Sequence, residues 1–200
     1  MCGRYDLSDN PAAIRAKFAV PSVPEFAPNP DWRPTNHAPI IRLSRSGARE
    51  SALARWGLVP AWADDLRFGN RCINARAETL ARLPAFRSAY RWRRCLVPVN
   101  AFYEWSGEKG QRRKWRIGLR DEPLFALAGL WEWWQDRGTG EGVTTFTIIT
   151  CPANALIAPL HGRMPVLVRE ADYGRWLDPA ADSQKLLVPY DPEAMTLQPG

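Results

Sequence analysis

Between Cys95 and Val168 the apolar residues arrive in short bursts. They are Cys95–Val99, Phe102–Trp105, Trp115–Leu119, Phe125–Trp133, Thr144–Thr150 and Met164–Val168, four to nine residues each. Runs of this length, rich in β-branched and aromatic residues and separated by turn formers, are strands rather than helices. Ile40–Leu43 and Ala52–Trp56 add two more around a Ser44-Arg45-Ser46-Gly47 turn. Helical signals are few and short. Asp9 or Asn10 can cap a helix that starts at Pro11 and runs to about Phe18. Arg76–Arg82, Ala85–Trp92 and Ala171–Leu177 are further helix candidates, and Cys151-Pro-Ala-Asn154 opens a helical turn. Six prolines within residues 20–39 make that passage extended and irregular. The expectation is an α+β fold: a single compact domain over residues 1–200 with a curved, largely antiparallel, barrel-like β-sheet flanked by short helices.

Size and composition agree. Two hundred residues, 46% hydrophobic and 24% charged, can bury a core without disulfide staples. Disorder, collagen and a disulfide scaffold are excluded as descriptions of the whole chain. No window approaches the ~20 uncharged apolar residues of a membrane-spanning helix, so no membrane partner is expected. The start, Met1-Cys-Gly-Arg-Tyr5, has neither an apolar leader nor a transit segment, so a cytoplasmic protein is expected. The four cysteines (2, 72, 95, 151) have no CxxC spacing and only two histidines accompany them, so neither a metal nor another cofactor is expected. Cys72, Cys95 and Cys151 lie among apolar neighbours and read as small core residues.

The charge is uneven. Of 27 cations 23 are Arg, and residues 1–163 hold 24 cations against 15 anions, whereas the remainder is acidic. A basic body suggests a polyanionic partner. A genome that writes Arg in place of Lys would produce the same surplus, and charge alone does not separate the two.

Polar residues inside apolar runs concentrate in four segments: Met1–Tyr5, Cys72–Thr79, Ala101–Trp105 and Leu160–Val166. Taken singly, Glu104 reads as an outward strand residue, His161 as a turn histidine, and Arg4, Arg76 and Arg163 as surface charges. Together they carry chemistry. Cys2 follows an initiator Met that is normally removed before so small a residue. A free N-terminal Cys is a 1,2-aminothiol, with an amine pKa of about 8 and a thiol pKa of about 8.5. Its amine condenses with an aldehyde and its thiol closes the imine to a thiazolidine. A His or Glu can shuttle the protons and an Asn can hold the substrate. The same inventory fits an N-terminal-nucleophile amidohydrolase nearly as well.

The segments, in this order, resemble the SOS-response-associated peptidase (SRAP) family, the abasic-site shielding proteins. The resemblance runs from Met1 to about Leu177 and leaves 178–200 as a divergent tail. It rests on Met1-Cys-Gly-Arg-Tyr5, Arg33-Pro-Thr35, Arg55-Trp-Gly-Leu-Val-Pro-Ala-Trp62, Ile73-Asn-Ala-Arg-Ala-Glu-Thr79 and Arg94-Cys-Leu-Val-Pro-Val-Asn-Ala-Phe-Tyr-Glu-Trp105. Ala126-Leu-Ala-Gly-Leu-Trp131, Thr147-Ile-Ile-Thr150 and His161-Gly-Arg-Met-Pro165 complete it.

The resemblance implies an enzyme that captures abasic-site aldehydes in single-stranded DNA as a thiazolidine crosslink, with processing of its own N-terminus and lyase-type Schiff-base chemistry. Cys2 would be the crosslinking residue, Asn74 the contact to the opened sugar, Glu104 the proton manager and His161 the aid to Schiff-base formation. Arg4, Arg76 and Arg163 would hold phosphates. Trp62 and Trp105 are candidates for the DNA groove, and Trp56 and Trp131 for the core. The partner implied is single-stranded DNA containing abasic sites, bound by a monomer that is nucleoid-associated when on DNA. The alternatives are a cysteine hydrolase of the N-terminal-nucleophile type and a non-catalytic single-stranded-DNA-binding module. The chain departs from the family at Pro30-Asp31, at Ala63 where a second Trp can stand, and in a longer loop from Asp64 to Arg71. Its tail also lacks the usual Val-Asn segment, so the last edge element is expected to be missing.

Overall fold

The computed structural model describes residues 2–108 and 111–200. In chain order the elements are β1 (Tyr5–Leu7), α1 (Pro11–Phe18), β2 (Asn29–Trp32), β3 (His37–Leu43), β4 (Arg49–Trp56), β5 (Asn74–Arg76), α2 (Arg87–Trp92), β6 (Arg94–Val99) and β7 (Ala101–Ser106). They continue with β8 (Arg113–Leu119), β9 (Phe125–Gln135), β10 (Gly142–Pro152), β11 (Arg163–Pro165), β12 (Leu167–Val168), α3 (Tyr173–Leu177) and β13 (Met195–Pro199). Among the described residues four short 3-10 segments, the longest Leu66–Arg71, fill connections.

Five strands close into a barrel in the order β3-β4-β10-β9-β6 and back to β3. Every seam is antiparallel except β4–β10, where Arg55 and Trp56 run parallel to Thr145 and Phe146. Closure removes the free edges of these strands. β5 adds to β10 in parallel, β11 adds to it antiparallel, and β12 adds to β9. A second, antiparallel sheet runs β13-β8-β7-β1-β2. Its inner row, Tyr5, Phe102 and Ile117, lies side by side in register and is fully buried. The Tyr5 ring sits 5.2 Å from that of Trp56 at the end of β4, which joins the sheet to the barrel. The α+β expectation, with a curved and largely antiparallel barrel, holds.

Local signals account for much of this. Asn10 caps α1 by accepting from the Ala13 amide at 3.0 Å, with Pro11 in the first turn. Pro30 is tolerated in β2 because β2 is the edge of its sheet. Four expectations need correction. Arg76–Arg82 is not a helix: Asn74–Arg76 is extended on β10, the Ala77 amide donates to the Thr150 carbonyl, and successive turns follow. Cys151 and Pro152 stay in β10, and the turn begins at Asn154, whose Oδ1 accepts from the Ile157 amide at 3.0 Å. The Met164–Val168 run divides at Val166 into β11 and β12. The last edge element is present: β13 pairs with β8 from Met195 opposite Leu119 to Pro199 opposite Trp115, supplied by residues without the Val-Asn sequence. Among the tryptophans, Trp56 is core as expected, but Trp131 is only partly buried and lies beneath the Arg42 guanidinium at 4.1 Å.

The connection from β4 to β5 depends on two glycines. Gly57, at φ +120°, and Gly69 bring their backbones together. A Cβ on Gly69 would stand 2.3 Å from the Gly57 oxygen, and one on Gly57 would stand 2.7 Å from that of Gly69. This contact fastens the 3-10 turn Leu66–Arg71 to the barrel end, and the chain then passes Cys72, whose carbonyl accepts from the Leu58 amide, into β5. Gly69→Ala is therefore expected to destabilise the fold by about 1–3 kcal/mol, seen as a drop in thermal midpoint. An unchanged midpoint would show that the two backbones can separate freely.

Candidate active site

Cys2 is fully buried between the second sheet and the barrel. Two strands position it. The Arg4 carbonyl accepts from the Tyr103 amide at 3.0 Å, which extends the β1–β7 ladder towards the N-terminus. The Cys2 carbonyl accepts from Asn74 Nδ2 at 2.8 Å, which ties the segment to β5. Asn74 is itself fixed by register against Ile148. Among the described residues its buried Oδ1 has no hydrogen-bond donor, so the acceptor end of the amide stays available to a ligand.

Glu104 is 3% exposed on β7 and faces Cys2 closely enough to act on it electrostatically. Burial pushes the Cys2 thiol far above its ordinary range, and the Glu104 carboxylate adds to the effect. The thiol is therefore neutral at physiological pH and needs a base before it can act as a nucleophile. The other cysteines behave as core residues. All are buried and free, with thiols raised by burial, Cys151 to about 11. Among the described residues no cluster of His, Cys, Asp and Glu could hold a metal ion.

His161 follows the turn after Asn154 and is partly buried. The Arg163 amide donates to its Nδ1 at 2.9 Å, which places the proton of the neutral ring on Nε2. The Arg163 carbonyl lies 3.1 Å from the same Nδ1. The Arg163 side chain is occupied as well. Its two terminal nitrogens grip Glu78 at 2.8 and 2.9 Å, Nε donates to Thr150 Oγ1 at 3.2 Å, and the Thr150 carbonyl takes a further bond at 2.6 Å. The guanidinium holds the Glu78 carboxyl below the usual carboxylate range. Thr150 pairs with Arg76, two residues beyond Asn74, so this network joins the His161 turn to the end of β5.

The structure thus brings Cys2, Asn74 and Glu104 together directly. His161 is linked to the same strand end through Arg163, Glu78 and Thr150, with no direct bond to Cys2 among the described residues. Arg76 is exposed at the end of β5. Arg4 sits 3.5 Å from Asp31 and 5.5 Å from the centre of the Trp105 ring. Trp105 alternates with Glu104, so it lies on the opposite face of β7. Trp62 is 51% exposed and meets Phe68 edge-on at 5.2 Å, in a concavity of 620 Å³ that also includes Asp64, Asp65, Arg67 and Arg71. Among the described residues no hydrogen bond or ring contact joins it to Cys2. Sequence reasoning missed the structural partners Glu78, Thr150 and Asp31. Glu78 stood inside the quoted Asn-Ala-Arg-Ala-Glu-Thr motif, but its partner Arg163 lies 85 residues away and no local signal pointed to it.

Comparison with known proteins matches this architecture. The abasic site processing protein YoqW of Bacillus subtilis is 37% identical over 205 residues, covering 98% of this chain and 90% of that one. The abasic site processing protein HMCES of Xenopus tropicalis is 24% identical and is covered over 71% of its length by 96% of this chain. A crystal structure of a protein from Bacteroides thetaiotaomicron superimposes with a TM-score of 0.91 at 28% identity, over 98% of this chain and 90% of that one. A crystal structure from Bordetella bronchiseptica gives 0.87 at 27% identity, over 100% and 99%. The family profile described as SOS response associated peptidase (SRAP) matches residues 1–199. On that match and on the YoqW identity, the chain belongs to the SRAP family.

Proposed function

We propose that this protein processes abasic sites in DNA by capturing the sugar aldehyde on Cys2 after removal of Met1, a residue that lies outside those described. The observation that supports this reading most is the buried contact of Cys2 with Asn74 and Glu104: an N-terminal residue held from two strands beside a carboxylate. The names of the relatives point to the same substrate. The proposed substrate is single-stranded DNA and the proposed working form a cytoplasmic monomer.

The steps balance without an oxidant or reductant. Glu104 takes a proton from the Cys2 ammonium and helps the sugar hemiacetal open. The amine attacks C1′ to give a carbinolamine. His161 donates the Nε2 proton with which hydroxide leaves as one water, and an iminium forms. Glu104, having passed its first proton to water, then accepts the thiol proton as Sγ bonds to C1′. The nitrogen keeps its own proton, the C=N electron pair returns to it, and the thiazolidine closes. Because burial keeps the thiol protonated, the amine acts first and sulfur second. Closure removes the imine that would otherwise promote β-elimination, so the lesion is shielded. Asn74 Oδ1 is the acceptor for a hydroxyl of the opened sugar. In this scheme Arg76 meets phosphate directly, whereas Arg163 orients His161.

Cys2→Ala is expected to abolish the heat-stable adduct with abasic single-stranded DNA on denaturing gels, while the free Ala amine still forms an imine that nicks the strand. A heat-stable adduct from Cys2→Ala would falsify thiazolidine formation. Turnover of a peptide library without any DNA adduct would replace this reading with an N-terminal-nucleophile hydrolase.

Glu104→Gln should slow adduct formation by roughly 10²- to 10⁴-fold with DNA affinity nearly unchanged, as followed by single-turnover kinetics beside equilibrium binding. Collapse of affinity with an unchanged rate would make the carboxylate a binding group instead.

Glu78→Gln, which keeps the shape of the Arg163 partner but removes its charge, should slow the reaction by roughly tenfold while affinity stays level or rises. A wild-type rate would show that Arg163 does not orient His161 through Glu78.

A further inference from the structure

The catalytic carboxylate is one member of a row that leaves the site along the second sheet. In the β7–β8 ladder Glu104 stands opposite Trp115, and Ser106 stands opposite Arg113. Strand alternation puts all four on one face, the face that carries buried Phe102 and Ile117 further in. The Trp115 indole is anchored: its Nε1 donates to Ser106 Oγ at 2.7 Å, and β13 flanks it with Pro199 in register. The Arg113 guanidinium lies over that ring, 4.3 Å from its centre. Arg113 is exposed, and among the described residues no carboxylate lies within ion-pair distance of it. Arg4, Arg116 and Arg163, by contrast, have Asp31, Asp6 and Glu78 as partners.

A guanidinium laid on an indole is held in one plane with its N–H edges free. That arrangement grips the two oxygens of a phosphodiester. The position is two residues along β7 from Glu104, a rise of about 7 Å, so the phosphate it can reach belongs to a neighbouring nucleotide and not to the reacting sugar.

We propose that Arg113, seated on Trp115, is a phosphate clamp for the strand flanking the nucleotide bound at Cys2 and Glu104. The proposal rests on the abasic-site reading for the identity of that strand. It assigns the clamp a binding role with no part in proton transfer.

The test uses the full chain and a single-stranded oligonucleotide carrying a tetrahydrofuran abasic analogue, which has no aldehyde and cannot crosslink. Arg113→Ala should weaken binding about tenfold and reduce the slope of log K against log salt by about 0.7, the value for one phosphate contact on a single strand. Arg113→Lys should restore the slope but only part of the affinity, because an ammonium neither stacks nor forks. With aldehyde-bearing DNA at saturation, Arg113→Ala should crosslink at the wild-type rate. Wild-type affinity and slope in Arg113→Ala would overturn the clamp even if the wild-type protein crosslinks normally. If the wild-type protein forms no adduct but Arg113→Ala still loses the salt slope, the clamp stands and aldehyde capture falls.

Discussion

Strand β10 is the constraint on which the other parts depend. Its eleven residues meet β9 along one side from Gly142 to Ile148, and on the other side take β4 and then β5. Its last residues carry β11. Closing the barrel requires the first two sets of pairings, and building the site requires the rest. The parallel seam with β4 is the unusual one, because parallel neighbours need a connection that leaves the sheet and returns. The structure provides it by running the chain from β4 through β5, α2, β6, the β7–β8 hairpin of the second sheet and β9 before it returns as β10. β5 then enters the same side of β10 as β4 and places Asn74 and Arg76 where the barrel opens. A defect near Thr147 or Ile148 would therefore disturb core and chemistry at once.

How far the sequence could be read follows from where each signal is stored. Strands from β6 to β10 were legible because their apolar runs are bounded by turn residues and their identity is local. The cap on α1 was legible for the same reason. The Arg76–Arg82 stretch was misread because its composition suits a helix, yet the Ala77 amide is claimed by Thr150, more than seventy residues away. β13 was missed because an edge strand takes its conformation from its neighbour, and its sequence need not carry a pattern. Of the candidate site, the motifs named Cys2, Asn74, Glu104 and His161. Their separation into a contacting trio and a histidine held through a salt-bridged arginine was not legible, since pairing distances exist only after folding.

The arginine surplus also changes meaning. Arg94 is nearly buried and donates to Ser183 Oγ at 2.6 Å and to the carbonyls of Asp178 and Ala181. Trp176 reaches the Cys95 carbonyl beside it at 2.8 Å. The segment after α3, read from sequence as a divergent tail, is thus fastened to β6 by a cation that has no contact to spare for a nucleic acid. Arg163, Arg116 and Arg42 are bound to carboxylates in a similar way. Such pairing leaves the net charge as it is but takes these guanidinium groups out of service as phosphate ligands, and location counts for more than number in attracting a polyanion.

The histidine at the site has both a main-chain amide and a main-chain carbonyl of Arg163 at the same ring nitrogen. Both contacts come from the backbone, so the turn that carries Arg163 sets the orientation of the imidazole and, among the described residues, no neighbouring side chain does. A substitution that bends the turn between Asn154 and Arg163 would therefore swing the imidazole away from the end of β5 without altering a single side chain of the candidate site.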